Sequence, residues 1–279
     1  MQNNTKGKFD GWLLYSDFDG TVYSEAITVE AKPKSKISQE NIDAIRYFQE
    51  NGGRFAFASG RFVSMICETV PEIKLNAPVI SVNGAILASP DDFSEIRRGT
   101  IDTASMFEYM YNLYKTDKGV VGGHFYGGDN ESYHFSALYG DEPDRDAFLA
   151  SMPDKCLKMI ILVTDEDSDR VAKLVQEQLN DRYHISRSWI NGIEIVDKAF
   201  SKGQAAKFAK EYVGAEHLVC VGDYENDIDM IEAADIGYAV ANAIPAVKAV
   251  ADRITVSVHE HALAAIVREL EAEIDANGN

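Results

Sequence analysis

Cysteine is scarce in this 279-residue chain: Cys67, Cys156 and Cys220 are far apart and never form a Cys-x-x-Cys pair. That excludes a disulfide scaffold and the paired-thiolate zinc sites, and it reads as reduced, buried thiols. No cysteine has an arginine six residues downstream, so the loop of the cysteine-dependent phosphatases is missing. Gly-x-Gly occurs nowhere, which removes the dinucleotide fingerprint, and there is no Gly-Lys-[Ser/Thr] phosphate loop. His259-Glu260-His261 has the wrong spacing for a zinc helix and reads instead as a cap for the last helix. Apolar runs such as Met159 to Val163 are far too short to span a bilayer, and Met1 to Gly11 is polar, without a signal-like stretch. Basic residues are outnumbered, 27 against 45 acidic, for a formal net charge of −18. Such a surface repels nucleic acid and anionic membrane, so neither is expected as a partner. The chain is expected to be soluble and cytoplasmic, and an anionic substrate must be drawn in by local cations or a metal.

What is present is apolar content, 46%, in a chain long enough for two cores or for one domain carrying a large insertion. Trp12 to Ser16 reads as a buried strand, followed by a polar loop from Ser24 to Lys36. Ser38 can cap a helix whose apolar positions are Ile42, Ile45 and Phe48, and Gly52-Gly53 stops it. Strands are predicted over Arg54 to Ala58 and Pro78 to Val82, with a helix over Val63 to Val70 between them. The alternation returns late, with strands over 193–196, 218–221, 236–240 and 253–258. Helices are predicted over 202–213, 227–234 and 245–250, and a last one carries the stripe Leu263, Ile266, Val267, Leu270 and Ile274. This alternation predicts an α/β fold, a parallel sheet with helices on both faces.

Between about Leu87 and Trp189 the texture changes. Gly119 to Gly140 is rich in Gly, His and aromatics and reads as antiparallel hairpins, flanked by helices over 104–114 and 171–179. The expected organisation is a core of residues 1–87 and 190–279 with an inserted α+β cap over 88–189.

The polar residues worth singling out fall just after predicted core strands or at the start of the next helix. Asp17-Phe18-Asp19-Gly20-Thr21 follows the first strand, Ser59-Gly60-Arg61 the second and Asn83-Gly84 the third, while Gly222-Asp223 and Asn226-Asp227 follow the strand over 218–221. Lys202 opens a helix and can join them. Each fragment alone also reads as a turn or a helix cap. In an open parallel sheet, however, all of these ends share one edge, where ligands bind. Carboxylates about 4 Å apart repel by roughly 4 kcal/mol at an effective dielectric of ~20. Gathering Asp17, Asp19, Asp223 and Asp227 therefore calls for a cation, and all-oxygen donors with a phosphate suit Mg2+. A metal-neutralised aspartate can attack phosphorus, and a second carboxylate two residues on can give and take the proton. Ser59 and Lys202 can hold phosphoryl oxygens.

The same set, Asp17-Phe18-Asp19-Gly20-Thr21, Ser59-Gly60-Arg61, Lys202-Gly203 and Gly222-Asp223-x-x-Asn226-Asp227, resembles the four motifs of the haloacid dehalogenase superfamily. Gly60-Arg61, Asn83-Gly84 and Ala241-Asn242-Ala243 resemble its Cof-like branch. The resemblance implies a Rossmann-like, doubly wound core with an α/β cap, and Asp17 as nucleophile with Asp19 as acid/base. It implies Mg2+ on the Asp17 carboxylate, the Asp19 main-chain carbonyl and Asp223, and phosphate held by Ser59, Gly60, Lys202 and Asn226 with Asp227 in support. The implied activity is hydrolysis of small phosphate monoesters, such as sugar phosphates or phosphorylated cofactors, through an aspartyl-phosphate. A phosphomutase and a non-catalytic phospho-ligand binder are the alternatives. The loop over 23–37 looks longer than is usual in that branch. In the cap, His124, Tyr126, His134, Arg187 and Trp189 are candidate pocket residues, read equally well as ordinary structure.

Overall fold

The structure is a computed structural model that describes residues 7–24, 37–128, 131–136 and 144–277. The polar loop predicted over 24–36, and with it the question of its length, lies outside the described residues except at Ser24, as does Met1 to Lys6.

The first stretch comprises β1 (Trp12–Ser16), α1 (Gln39–Glu50), β2 (Arg54–Phe57), α2 (Val63–Thr69) and β3 (Val79–Ser81). A hairpin follows, β4 (Ile86–Ala88) and β5 (Glu95–Arg98). Next come β6 (Ile101–Asp102), α3 (Thr103–Thr116), β7 (Val120–Tyr126), β8 (Ser132–Ser136) and α4 (Arg145–Ser151). They lead into β9 (Lys155–Cys156), β10 (Lys158–Val163), α5 (Ser168–Leu179), β11 (Tyr183–Trp189) and β12 (Gly192–Asp197). The chain closes with α6 (Lys202–Val213), β13 (His217–Gly222), α7 (Ile228–Ala233), β14 (Ile236–Ala239), α8 (Pro245–Val250), β15 (Arg253–Ile254) and α9 (Ala262–Asn277).

Local chemistry explains the helix ends. The Ser38 Oγ accepts the Asn41 N–H at 3.3 Å to open α1. Ser201 opens α6 in the same way, accepting from the Gln204 N–H, and Gly214 closes it in the left-handed region. The apolar stripe of α1 (Ile42, Ile45, Phe48) and that of α9 (Leu263, Ile266, Val267, Leu270) are buried in one core against the parallel sheet.

That sheet has the order β15-β14-β13-β1-β2, all parallel, so the predicted α/β architecture is present. The chain leaves β1 for β2 on one side and returns to β13 on the other, making the β1/β13 edge a topological switch point. Among the described residues, no helix is long and apolar enough to cross a membrane.

Three strand expectations need correcting. Pro78 to Val82 contributes only Val79–Ser81, which touches the parallel sheet through one bridge, Ala58 to Ile80, and pairs antiparallel with β4. Arg253 to Val258 shortens to β15, because Val258–Glu260 turns into a short helical segment opened by a Ser257–Glu260 capping box. Ile193 to Val196 does not belong to the parallel sheet at all. It lies in β12, inside a second, antiparallel sheet of order β11-β12-β10-β7-β8. The reason is its period of two: Ile193 and Ile195 join the apolar core with α3 and α5, while Glu194 and Val196 face the other way. That second core runs from Ile101 to Ile195, and its sheet ends with β12 at Asp197. Residues 86–98 instead extend β3 as a hairpin.

Candidate active site

Asp17 stands one residue beyond β1, where its N–H donates to the Val221 carbonyl of β13 at 2.9 Å. This places it at the switch point beside Asp223, which follows the end of β13. One carboxylate oxygen from each of Asp17, Asp223 and Asp227 lies within 4.8 Å of the other two. Lys202, at the first turn of α6 and 1% exposed, donates to Asp17 at 2.6 Å and to Asp227 at 2.7 Å. Asp227 is tied further, its second oxygen accepting the Asp223 and Tyr224 N–H groups at 3.0 and 3.3 Å.

The electrostatics follow from that count. Three carboxylates gather beside one ammonium that bonds only two of them. Burial, then Asp227 and Asp223, push the Asp17 carboxyl well above the usual range, against the pull of Lys202. Burial and Asp227 carry Asp223 from 3.8 to about 7. Burial works against the Lys202 charge, but Asp17 and Asp227 outweigh it and hold the ammonium protonated above its ordinary value. A hard divalent cation on the Asp17 and Asp223 oxygens removes the excess negative charge, so the donor set fits such an ion.

Gly20 is required at its position. Its φ is +79°, and a Cβ there would lie 2.2 Å from Asp223 Oδ2. The turn is also pinned from outside, because the Asn242 amide donates to the Gly20 carbonyl at 2.7 Å. Gly20→Ala is expected to lower stability by about 1–2 kcal/mol, the ordinary penalty of the left-handed region, and more if Asp223 cannot yield. Thermal denaturation of the purified variant checks this.

Asp19 lines the same cavity as Asp17 and Asp223. Its carboxylate is about half exposed and is gripped by Arg61, at 2.8 Å from Nε and 2.5 Å from Nη2. Its carboxylate is not among the three that gather, those of Asp17, Asp223 and Asp227. Arg61 is itself oriented by the Phe18 and Tyr23 rings, at 5.0 and 5.8 Å. Ser59 is buried, its Oγ accepting the Arg61 N–H at 3.2 Å. Asn226 reaches across to Asn83, donating to its Oδ1 at 3.2 Å.

The Asn83 position is strained: Val82 and Asn83 both have positive φ, 51° and 56°, and a β-branched residue rarely does. Gly84 follows with φ +98°, and a Cβ on it would lie 2.3 Å from the Ser201 backbone, so the turn packs directly against the start of α6. This bend turns Asn83 toward β12, where its amide bonds the buried Glu194. Glu194 also pairs with Lys158 at 3.3 Å, and the Lys158 ammonium lies 3.4 Å from the Gly60 carbonyl and 4.4 Å from the Tyr126 ring centre. The inserted unit thus meets the Ser59–Gly60 turn through a buried ion pair.

Asp17, Asp19, Ser59, Gly60, Asp223 and Asn226 all line one cavity of about 260 Å³, closed from the other side by Tyr126, Lys158, Trp189 and Glu194. Lys202 and Asp227 stand behind it. Of the candidate cap residues, Tyr126 and Trp189 reach this cavity. Arg187 is instead committed to Glu225 and Asp169, and His124 packs beside His134 and Tyr126. Sequence reasoning missed Arg61 as a partner of Asp19, and it missed the Lys158–Glu194 pair. The available signal was charge at apolar positions: Glu194 is flanked by two isoleucines, and Lys158 opens the run Met159 to Val163.

Known proteins share this arrangement of the chain. The family of haloacid dehalogenase-like hydrolases matches residues 14–267. The Bacillus subtilis protein YxeH is 27% identical over 284 residues, covering 92% of this chain and 97% of its own. The 5-amino-6-(5-phospho-D-ribitylamino)uracil phosphatase YitU, also from Bacillus subtilis, is 23% identical with the same coverage, 92% and 97%. Among solved structures, BT1666 from Bacteroides thetaiotaomicron superposes with a TM-score of 0.73 at 21% identity, covering 97% of both chains.

Proposed function

The chain belongs to the haloacid dehalogenase-like hydrolases, and from that membership we propose a phosphatase that hydrolyses small phosphate monoesters through Asp17. The observation that carries this reading is the meeting of the Asp17, Asp223 and Asp227 carboxylates, two of them bonded by Lys202, at the switch point of a parallel sheet.

Asp17 is the nucleophile: its carboxylate oxygen bonds to phosphorus as the ester P–O bond breaks. Lys202 holds the Asp17 oxygen at 2.6 Å and so fixes the attacking group before substrate arrives. Ser59 and the adjoining backbone receive the phosphoryl oxygens. Asp19 gives its proton to the departing alkoxide and later takes one from the water that cleaves the aspartyl-phosphate. That role requires Arg61 to let go of Asp19, and an incoming phosphoryl group is the natural competitor for the guanidinium. Mg2+ is the expected cation, held by Asp17, Asp223 and the Asp19 main-chain carbonyl, and it would supply charge neutralisation for the phosphoryl oxygens. Substrates are sugar phosphates or phosphorylated cofactors, consistent with the activity named for YitU.

Purified protein with Mg2+, screened for phosphate release over sugar phosphates, nucleotides and phosphorylated vitamins, tests the reading. Turnover of at least one ester is expected, and silence across the panel would refute it. EDTA is expected to abolish that turnover and added Mg2+ to restore it. Undiminished activity in metal-free buffer would remove the metal from the account.

A further inference from the structure

Two large apolar side chains at the mouth of this cavity have no part in the chemistry above. Trp189, at the end of β11, is 39% exposed and Met65, on α2, is 46% exposed, yet both line the cavity that holds Asp17. Exposed apolar residues scattered singly over a surface need no explanation. Two drawn to one cavity from separate parts of the fold do.

Trp189 is also deliberately placed. The pairing of β11 with β12 shifts register between Arg187 and Trp189, so that Ser188 is the extra residue of a bulge. Bulges beside functional sites re-aim the side chains that follow them. Across the pair stands Gly192, where an added Cβ would lie 2.3 Å from the indole Cζ2 and 2.5 Å from Cε2. The six-membered half of the indole therefore lies against bare backbone. Phe62 and Tyr126, with ring centres 5.4 Å apart, continue the apolar wall inward.

Resting on the phosphatase reading, we propose that Trp189 is a specificity-determining residue that forms, with Met65, a slot for a planar unsaturated ring in the leaving group. The preferred esters then carry an aryl or heterocyclic ring close to the phosphate-bearing carbon. An indole face and a polarisable thioether suit such a ring, through stacking and sulfur–aromatic contact. A ring-free polyol phosphate leaves both groups in water. The position of Trp189 on the inserted unit and of Met65 on α2 allows a different occupant, each other, if the two units close together during the reaction, and the test separates these cases.

Benzyl phosphate and ethyl phosphate both release primary alkoxides of similar basicity, so a difference in kcat/KM reads the slot and not the chemistry. The wild type is expected to favour the benzyl ester by about tenfold. Trp189→Ala is expected to bring the ratio toward one, with the loss in KM. Gly192→Ala, which pushes the indole aside while keeping it, is expected to shrink the ratio in part. A wild-type ratio near one overturns the proposal, as does a Trp189→Ala variant that loses kcat equally on both esters, the mark of unit closure. If no ester of any kind turns over, the phosphatase reading falls, and binding still decides the slot. Trp12 and Trp189 are the two tryptophans, so in a Trp12→Phe background the emission reports Trp189 alone. Quenching by benzyl phosphate and not by ethyl phosphate supports the slot; equal response to both refutes it.

Discussion

Asp17→Asn is expected to lower kcat by at least about 10³-fold while leaving the protein folded, because the amide keeps the shape and loses the nucleophile. The stability side of this result is as informative as the kinetic side. Asp17 is buried among two other carboxylates that push its own proton affinity up. A neutral amide relieves that repulsion, and Lys202 retains Asp227 as a partner. The melting temperature is therefore expected to hold or rise. Phosphate release and thermal denaturation on the same preparation check both halves. Residual turnover within tenfold of wild type would remove Asp17 from the covalent role, and a collapsed fold would show that its part is structural.

Lys202→Met carries the largest expected loss of stability. The methionine approximates the lysine stem, so packing in the first turn of α6 is largely kept. What disappears is the one ammonium between Asp17 and Asp227, both essentially buried. Breaking a buried ion pair by removing one member typically costs 3–5 kcal/mol, which here means about that loss in unfolding free energy. Chemical denaturation measures it directly. Turnover is expected to vanish as well, since the Asp17 oxygen loses its 2.6 Å anchor. A variant as stable as wild type would mean that the two carboxylates are not both ionised in the folded protein, and the charge count around the cavity would need revision.

The pattern of success along the chain has a physical cause. Helix α6 was readable to the residue because Ser201, Lys202 and Gly214 mark it by local capping chemistry. The aspartates after β1 and β13 were readable because a parallel strand ends in a short turn whose residue types are restricted by what it must bind. Glu194 was not readable. A strand of the sequence Gly-Ile-Glu-Ile-Val-Asp is compatible with either sheet, and strand partners are chosen by residues distant in the chain. The Glu194 strand therefore pairs in the antiparallel sheet and not in the parallel one. Asp19 was legible in part: its position in the motif could be read, but its capture by Arg61, 42 residues away, could not.

By itself the sequence determined the α/β alternation, the acidic residues at the strand ends and the chemistry they can perform, because these depend on neighbours within a few positions. Only the tertiary structure decided which carboxylates share Lys202, what restrains Asp19, and that Lys158, Glu194 and Trp189 close the cavity from the second sheet. Those contacts join segments tens to nearly two hundred residues apart, and burial with partner choice, not local pattern, sets them.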